Sequence, residues 1–290
     1  MSYEAQKAGA AASTSGVAIE VLETLVNRAY DRAKRWAGAV LILQGALYFF
    51  GALAVFWPVF TLTYPWVALP LALIGAEITR RAGVYKGLAE TAKRHHEYFA
   101  GFGITPSGSQ LADLRQSLRN ELSLEANELL KKGITYASDQ PHGPRRVLEN
   151  LSESAWFTKH LAAKCVVWVA STVLLSLTTA ISALLWSAES AASTPTGVAT
   201  AKAIAATLIF LISVGTIRSW VGYSKLSLKA KDIDTEASRL LAGDPSEFEA
   251  QRLLAEYQLA RSSAPLVPTW IWELHRYSLN EDWELKKPKR

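Results

Sequence analysis

The fold is decided by residues 36–76, WAGAVLILQGALYFFGALAVFWPVFTLTYPWVALPLALIGA, which contain no Asp, Glu, Lys or Arg. A helix needs about 20 apolar residues to cross a hydrocarbon core of about 30 Å. These 41 residues are therefore long enough for two crossings. Pro58 and Pro65 lie in the middle and favour a break there. We predict two membrane-spanning helices, roughly 36–57 and 61–78, joined by a linker at 58–60.

A second apolar region covers residues 165–221. Residues 165–186 carry no charge and predict a third span. A fourth span is predicted at 197–221, where Lys202 and Arg218 would lie near opposite surfaces. A charge in mid-bilayer costs about 2.5–3.5 kcal/mol, so end positions are preferred. Indole rings favour the water–lipid boundary, and tryptophans stand near the ends of these spans, at Trp36, Trp57, Trp168, Trp186 and Trp220.

The distribution of positive charge predicts the orientation of the spans. Lys and Arg number 5 before the first span, 13 in residues 79–164 and 12 in residues 218–290. The two opposite connections hold none at 58–60 and at most Lys202 in the other. Cytoplasmic segments carry the excess of Lys and Arg. We therefore expect a multi-pass protein with both termini and the middle segment in the cytoplasm.

The remaining segments read as helices, and no strand pattern with hairpin turns is present. We predict an all-α integral membrane protein with four transmembrane helices in two hairpins and a helical cytoplasmic domain built from the middle insert and the C-terminal region. The predicted segments are a tail with an amphipathic helix (1–35), the first hairpin (36–78), the insert (79–164), the second hairpin (165–221) and C-terminal helices (222–290). Within them, Ser107 or Ser109 is expected to cap a helix at about 109–132, and Ser246 to cap another.

The residues offer little for catalysis or metal binding. None of the five histidines has a partner at a zinc-ligand spacing, and the single cysteine, Cys165, excludes an internal disulfide and a thiolate cluster. There is no glycine-rich phosphate loop and no nucleophile elbow. The N-terminal residues lack the basic start and apolar core of a cleavable signal. We expect neither an enzyme nor a bound metal or cofactor, and the modest net charge of +5 does not indicate a nucleic-acid duplex as partner.

The third span carries hydroxyl groups on one helical face. Thr172, Ser176 and Thr179 follow the spacing i, i+4, i+7. They could line a water-filled path in an oligomer. The favoured alternative is close helix packing, for which small hydroxyl residues are equally suited.

Two basic and aromatic groups are candidates for ligand binding. Arg145 and Arg146 open a helix, where arginine and free N–H groups can hold phosphate. A segment near the C-terminus combines aromatic and basic side chains that could stack on a nucleobase. They are Trp270, Trp272, Arg276 and Tyr277. For the two arginines, the alternative is that their positive charge only sets the membrane topology. For the C-terminal group, the alternative is packing on neighbouring helices.

Two segments resemble a known family. They are AYDRAKRWAG (29–38), just before the first span, and EYQLARSSAPLVPTWIWELHR (256–276). With two span pairs around a helical insert, the chain resembles the SMODS-associating four-transmembrane effectors, which are predicted pore-forming effectors of bacterial anti-phage systems. The resemblance implies an inner-membrane homo-oligomer that a cyclic oligonucleotide or a signalling partner activates. No ligand-binding residues of the family transfer position by position.

Two other classes remain open. A membrane scaffold or sensor could recruit a soluble partner through the cytoplasmic helices without forming a pore. A transporter is a third class, although the mid-membrane charges typical of coupling sites are missing.

Overall fold

The computed structural model describes residues 3–56, 58–117, 138–189 and 215–286. These residues form seven α-helices and contain no β-strand, which confirms the all-α prediction. The helices are α1 (Tyr3–Phe56), α2 (Pro58–Phe102), α3 (Gly108–Ser117), α4 (Pro144–Glu189), α5 (Thr216–Leu241), α6 (Glu247–Ser263) and α7 (Thr269–Lys286).

The chain divides into two compact units. Unit 1 contains residues 1–33, 83–159 and 228–263, and unit 2 contains residues 34–82, 160–227 and 264–290. Helices α1, α2, α4 and α5 each contribute residues to both units. The sequence predicts one C-terminal segment at 222–290. Its helices belong to different units, since α6 lies in unit 1 and α7 in unit 2.

The break between α1 and α2 is shorter than predicted. Helix α1 ends at Phe56 and α2 begins at Pro58, so residues 58–60 are helical and do not form a linker. Proline suits the first position of a helix because the N–H group it lacks has no partner there. Pro65 and Pro70 lie inside α2 without ending it.

Unit 1 has a core made by α4, α5 and α6. It contains Leu148 and Leu151 of α4, Ile233 of α5, and Leu254 and Tyr257 of α6. Burying a leucine or isoleucine side chain contributes about 1.5–3 kcal/mol. The apolar contacts between these helices therefore hold the core together.

A second apolar cluster of unit 1 joins α1, α2 and α3. Leu22, Leu25 and Val26 of α1 pack with Ala89 of α2 and Leu114 of α3. The alanines of α2 allow close approach because they have almost no side chain. The part of the predicted helix 109–132 beyond Ser117 lies outside the described residues.

Two helices of unit 1 begin with reciprocal caps. The N–H of Gln110 donates to Ser107 Oγ at 3.3 Å, and the N–H of Ser107 donates to Gln110 Oε1 at 2.9 Å. Ser246 and Glu249 make the same pair of contacts, at 3.3 and 3.0 Å. Each cap satisfies N–H groups that have no partner inside the helix. The predicted caps at Ser107 and Ser246 are confirmed.

Glycines allow the end of α2 to meet the start of α4. A Cβ at Gly101 would overlap Val147 Cγ2. Gly103 has a φ of +74°, which glycine adopts without strain, and its N–H donates to the Phe99 carbonyl at 2.9 Å. The N–H of Gly143 donates to the Gly101 carbonyl at 2.9 Å. Glycine at these positions brings the two backbones into direct contact.

Unit 2 is built from the apolar parts of the long helices together with α7. Cys165 and Val169 of α4, Tyr223 of α5 and Ile271 of α7 form its core cluster. Between α1 and α2, a Cβ at Gly75 would lie 3.2 Å from Leu43 Cδ2. Glycine at this position lets the two helices approach each other closely.

One helix in the described part of the chain, Pro144–Leu175 within α4, is long and apolar enough to cross a membrane. Only 22% of its most apolar window is buried. Core helices of globular proteins bury their apolar faces. The low burial therefore favours membrane association over a role as an interior helix.

Candidate functional site

Unit 1 contains a buried ionic cluster in which one arginine serves two carboxylates. Arg261 Nε donates to Glu90 Oε2 at 2.9 Å, and Arg261 Nη1 donates to Glu97 Oε1 at 2.5 Å. Tyr30 Oη donates to Glu90 Oε1 at 2.6 Å, and Gln258 Nε2 donates to Glu97 Oε2 at 2.9 Å. The Arg261 side chain is only 10% exposed. We call these five residues the Arg261 cluster.

The Arg261 cluster forms because three helices place polar side chains at one point. Glu90 and Glu97 are seven residues apart in α2, which puts them on the same helical face. Gln258 and Arg261 are three apart in α6, and Tyr30 comes from α1. The cluster therefore fixes the relative positions of α1, α2 and α6 within unit 1.

The two segments that carry the family resemblance meet in this cluster. Tyr30 belongs to residues 29–38, and Gln258 and Arg261 belong to residues 256–276. Both Tyr30 and Arg261 bind the Glu90 carboxylate. These two segments thus include residues that hold unit 1 together.

The electrostatics of the cluster keep its charges in place. Burial raises the pKa of the Glu97 carboxyl, but Arg261 and Lys93 outweigh burial and hold this pKa below its usual value. Burial lowers the pKa of Arg261, yet Glu97 and its other neighbours raise it well above the ordinary value. The attraction between the two residues thus favours the ionised form of each.

A small recess adjoins the cluster. Its polar lining comes from Glu97, Asn150, Ser154 and Tyr257, and it has space for about one water molecule. Asn150 Oδ1 is buried with no hydrogen-bond partner among the described residues. The recess is too small for a nucleotide.

A second, partly buried ion pair connects α4 and α5 in unit 1. Lys159 Nζ donates to Asp234 Oδ2 at 2.6 Å, and Ser152 Oγ donates to Asp234 Oδ1 at 2.8 Å. Tyr257 Oη lies 2.7 Å from Thr158 Oγ1, and this hydrogen bond joins α6 to α4. Unit 1 is therefore held by polar contacts as well as by its apolar core.

The candidate phosphate-binding arginines lie in unit 1 and contact backbone carbonyls. Arg145 Nη2 is 3.4 Å from the Leu241 carbonyl, and Arg146 Nη1 donates to the Gln140 carbonyl at 2.9 Å. Arg145 is exposed and Arg146 half-buried. Their predicted role in binding phosphate stays a prediction.

The four aromatic and basic candidates lie in unit 2, on α7. Trp270 makes an edge contact with Trp168, with ring centroids 5.2 Å apart. The Arg276 guanidinium lies over the Tyr277 ring at 4.7 Å, and its Nη2 donates to Tyr277 Oη at 2.9 Å. Trp270, Trp272 and Tyr277 are all exposed.

The candidates in the third span are described only in part. Thr172 Oγ1 donates to the Trp168 carbonyl at 3.0 Å, so its hydroxyl is satisfied within its own helix. The side chains of Ser176 and Thr179 lie outside the described residues. At the end of the second predicted span, Glu77 pairs with Arg80 and Arg81 at 2.7 and 2.8 Å, as expected for an ordinary ion pair.

Sequence reasoning missed the Arg261 cluster. A signal was present in α2, where Glu90 and Glu97 share a face with Ala89 and His96, all of which are buried. Charged residues beside an alanine on one helical face can indicate a buried pair, but the partner of Glu97 is 164 residues away. The identity of that partner depends on the fold.

No group of three or more His, Cys, Asp and Glu side chains in the described part of the chain is arranged to hold a metal ion. Comparison with known proteins found no matching family model, no matching curated protein and no matching solved structure.

Proposed function

We propose that this protein is an integral membrane effector that permeabilises the bacterial inner membrane when its helical cytoplasmic domain is activated. It would cross the membrane four times in two hairpins, with both termini in the cytoplasm. It would act as a homo-oligomer in anti-phage defence, as the resemblance of residues 29–38 and 256–276 implies.

The observation that carries the proposal is the uncovered apolar surface of the predicted spans. Ile42 on α1 and Trp66 on α2 are 76% and 82% exposed. Leucines on α2 and α4 are also exposed, at Leu69, Leu73, Leu174 and Leu175. A large exposed apolar surface marks a site of membrane or protein contact. Lipid is the contact that helices of this length and composition would need.

The activating event is proposed to act on unit 1. Helices α1, α2, α4 and α5 contribute to both units, so a change in their packing in unit 1 involves helices that also form the predicted spans. A ligand shifts such an equilibrium only by its difference in affinity for the two states. Arg145 and Arg146 are the proposed phosphate contacts, and a cyclic oligonucleotide is the proposed class of ligand.

Leakage from dye-loaded vesicles tests this function. The purified protein is reconstituted and cyclic di- and trinucleotides are added separately. We expect one of them to cause dye release. If none does so while the protein is inserted, the pore hypothesis fails and the scaffold hypothesis is favoured.

The double variant Arg145→Ala/Arg146→Ala tests the proposed contacts. We expect its leakage to need at least about tenfold more activator, because losing two charge-assisted contacts costs more than 1.4 kcal/mol. Membrane insertion should be unchanged. The matched control is Lys231→Ala/Arg252→Ala, which removes two exposed cations of unit 1. Equal activator affinity of both variants by calorimetry would remove Arg145 and Arg146 from the site.

A further inference from the structure

Helix α7 is apolar on two sides, of which one is buried and the other is largely exposed. Ile271, Leu279 and Trp283 are buried. The other side carries exposed apolar side chains, at Trp270, Leu274, Tyr277 and Leu285. With 3.6 residues per turn, these four positions fall within a narrow sector opposite the buried side. We call them the outer stripe.

Contacts within unit 2 place the beginning of α7 beside the start of the third predicted span. Ile271 packs with Cys165 and Val169 of α4. The ring of Trp270 meets the ring of Trp168 at 5.2 Å. Trp168 lies near the cytoplasmic end of that predicted span, where indole rings favour the water–lipid boundary. Trp270 therefore lies at the depth of the same boundary.

We propose that α7 is an interfacial helix whose outer stripe lies on the headgroup region of the lipid bilayer. This inference rests on the membrane location proposed above. The stripe runs from Trp270 to Leu285, about 22 Å along the helix. Trp and Leu on one face of a helix, as at Trp270, Leu274 and Leu285, are typical of helices that lie along a lipid surface.

The polar residues on the same side of α7 limit its depth. Glu281 is exposed and lies in the sector of the stripe, between Tyr277 and Leu285. A carboxylate is costly in the hydrocarbon core. The outer stripe accordingly contacts the headgroup level and does not enter the core.

Three exposed leucines provide a matched test. Leu174 lies in the third predicted span, Leu274 in the outer stripe and Leu259 on α6 of unit 1. They are 67%, 68% and 71% exposed. Each is replaced by Cys in a full-length Cys165→Ala protein, spin-labelled, and reconstituted in phosphatidylethanolamine–phosphatidylglycerol vesicles. Accessibility to oxygen and to a water-soluble nickel chelate is then measured.

We expect the label at 174 to contact oxygen and exclude the chelate, and the label at 259 to show the reverse. The label at 274 should have an oxygen-to-chelate ratio severalfold above that at 259 and below that at 174. Tyr277→Cys should repeat the result at a second position of the stripe.

Three outcomes would overturn the inference in different ways. A label at 274 that matches the one at 259, with 174 in lipid, rejects the interfacial helix and leaves the proposed function standing. Protection of 274 from both reagents indicates that a second copy of the chain or another part of it covers the stripe, and also rejects lipid contact. Exposure of 174 to the chelate rejects the membrane location itself.

Discussion

Arg261 joins α6 to α2 through two carboxylates, one of which also binds Tyr30 of α1. It is the one cation within hydrogen-bonding distance of both Glu90 and Glu97 among the ion pairs described. Removing one partner of a buried ion pair costs about 3–5 kcal/mol, because the remaining charge stays buried without compensation. Two carboxylates would lose their arginine at once, which would leave the Tyr30 hydroxyl on Glu90, and the Gln258 amide and the charge of Lys93 for Glu97.

We predict that Arg261→Leu lowers the free energy of unfolding of unit 1 by roughly 3–5 kcal/mol. The matched control is Arg252→Leu on the same helix, since Arg252 is exposed and lies 3.9 Å from Glu256. Thermal unfolding in detergent, followed by circular dichroism, measures the effect. Trypsin should also cleave α5 and α6 much faster in the first variant, although each variant lacks one cleavage site. Similar behaviour of the two variants would show that the Arg261 cluster does not stabilise the unit.

The lowered pKa of His96 predicts how the stability of unit 1 depends on pH. Burial lowers its pKa below 6.5, Lys93 adds to this effect, and Glu97 opposes it. Because the folded state holds the proton less tightly than the unfolded state, stability is full above about pH 6.5 and falls as the pH drops toward the folded pKa. We expect the unfolding midpoint to decline below pH 6.5 in the parent protein and much less in His96→Gln.

Glu97→Gln separates this effect from that of the carboxylate. The folded-state pKa of Glu97 is lowered, so its contribution is present above about pH 4.5 and lost only as the pH falls further. Glu97→Gln should therefore keep the decline that begins near pH 6.5. A pH profile that His96→Gln leaves unchanged would contradict the assignment to His96.

At the scale of elements, the contact between α2 and α4 depends on a missing side chain. We predict that Gly101→Ala destabilises unit 1 by about 1–3 kcal/mol, since the added Cβ would overlap Val147 and overpacking costs that amount. Gly87→Ala on the same helix is the control, because a Cβ there meets nothing within 4 Å. It should be neutral or stabilising by up to about 1 kcal/mol through helix propensity. Equal unfolding midpoints for the two variants would contradict the prediction.

Local sequence features predict most helix ends, but they do not predict the contacts between the helices. Pro58, Ser107, Ser246 and the glycines after α2 are local features, and each marks a helix end. The Arg261 cluster depends on partners more than 160 residues apart, which no local pattern specifies. The separation of α6 from α7 into different units is likewise a property of packing.

At the scale of the whole molecule, the charge distribution and the two units predict one topology. Unit 1 holds the buried ion pairs of Arg261 and the partly buried ion pair of Lys159. Unit 2 holds the exposed apolar faces of the predicted spans. Polar networks of the first kind need no lipid, whereas exposed apolar faces of the second kind favour contact with lipid or with another protein. The proposed topology puts unit 1 in the cytoplasm and the predicted connection between the third and fourth spans outside.

Single cysteines in a Cys165→Ala protein test this topology. Ser109→Cys and Ala242→Cys are exposed positions of unit 1, and Ser193→Cys lies between the third and fourth predicted spans. A membrane-impermeant maleimide should label only Ser193→Cys in intact spheroplasts and all three after permeabilisation. The excess of Lys and Arg around the first two positions predicts that both lie in the cytoplasm. Labelling of either position in intact spheroplasts would therefore contradict the proposed topology. Labelling of Ser193→Cys only after permeabilisation would exclude the second hairpin, and with it a four-span pore.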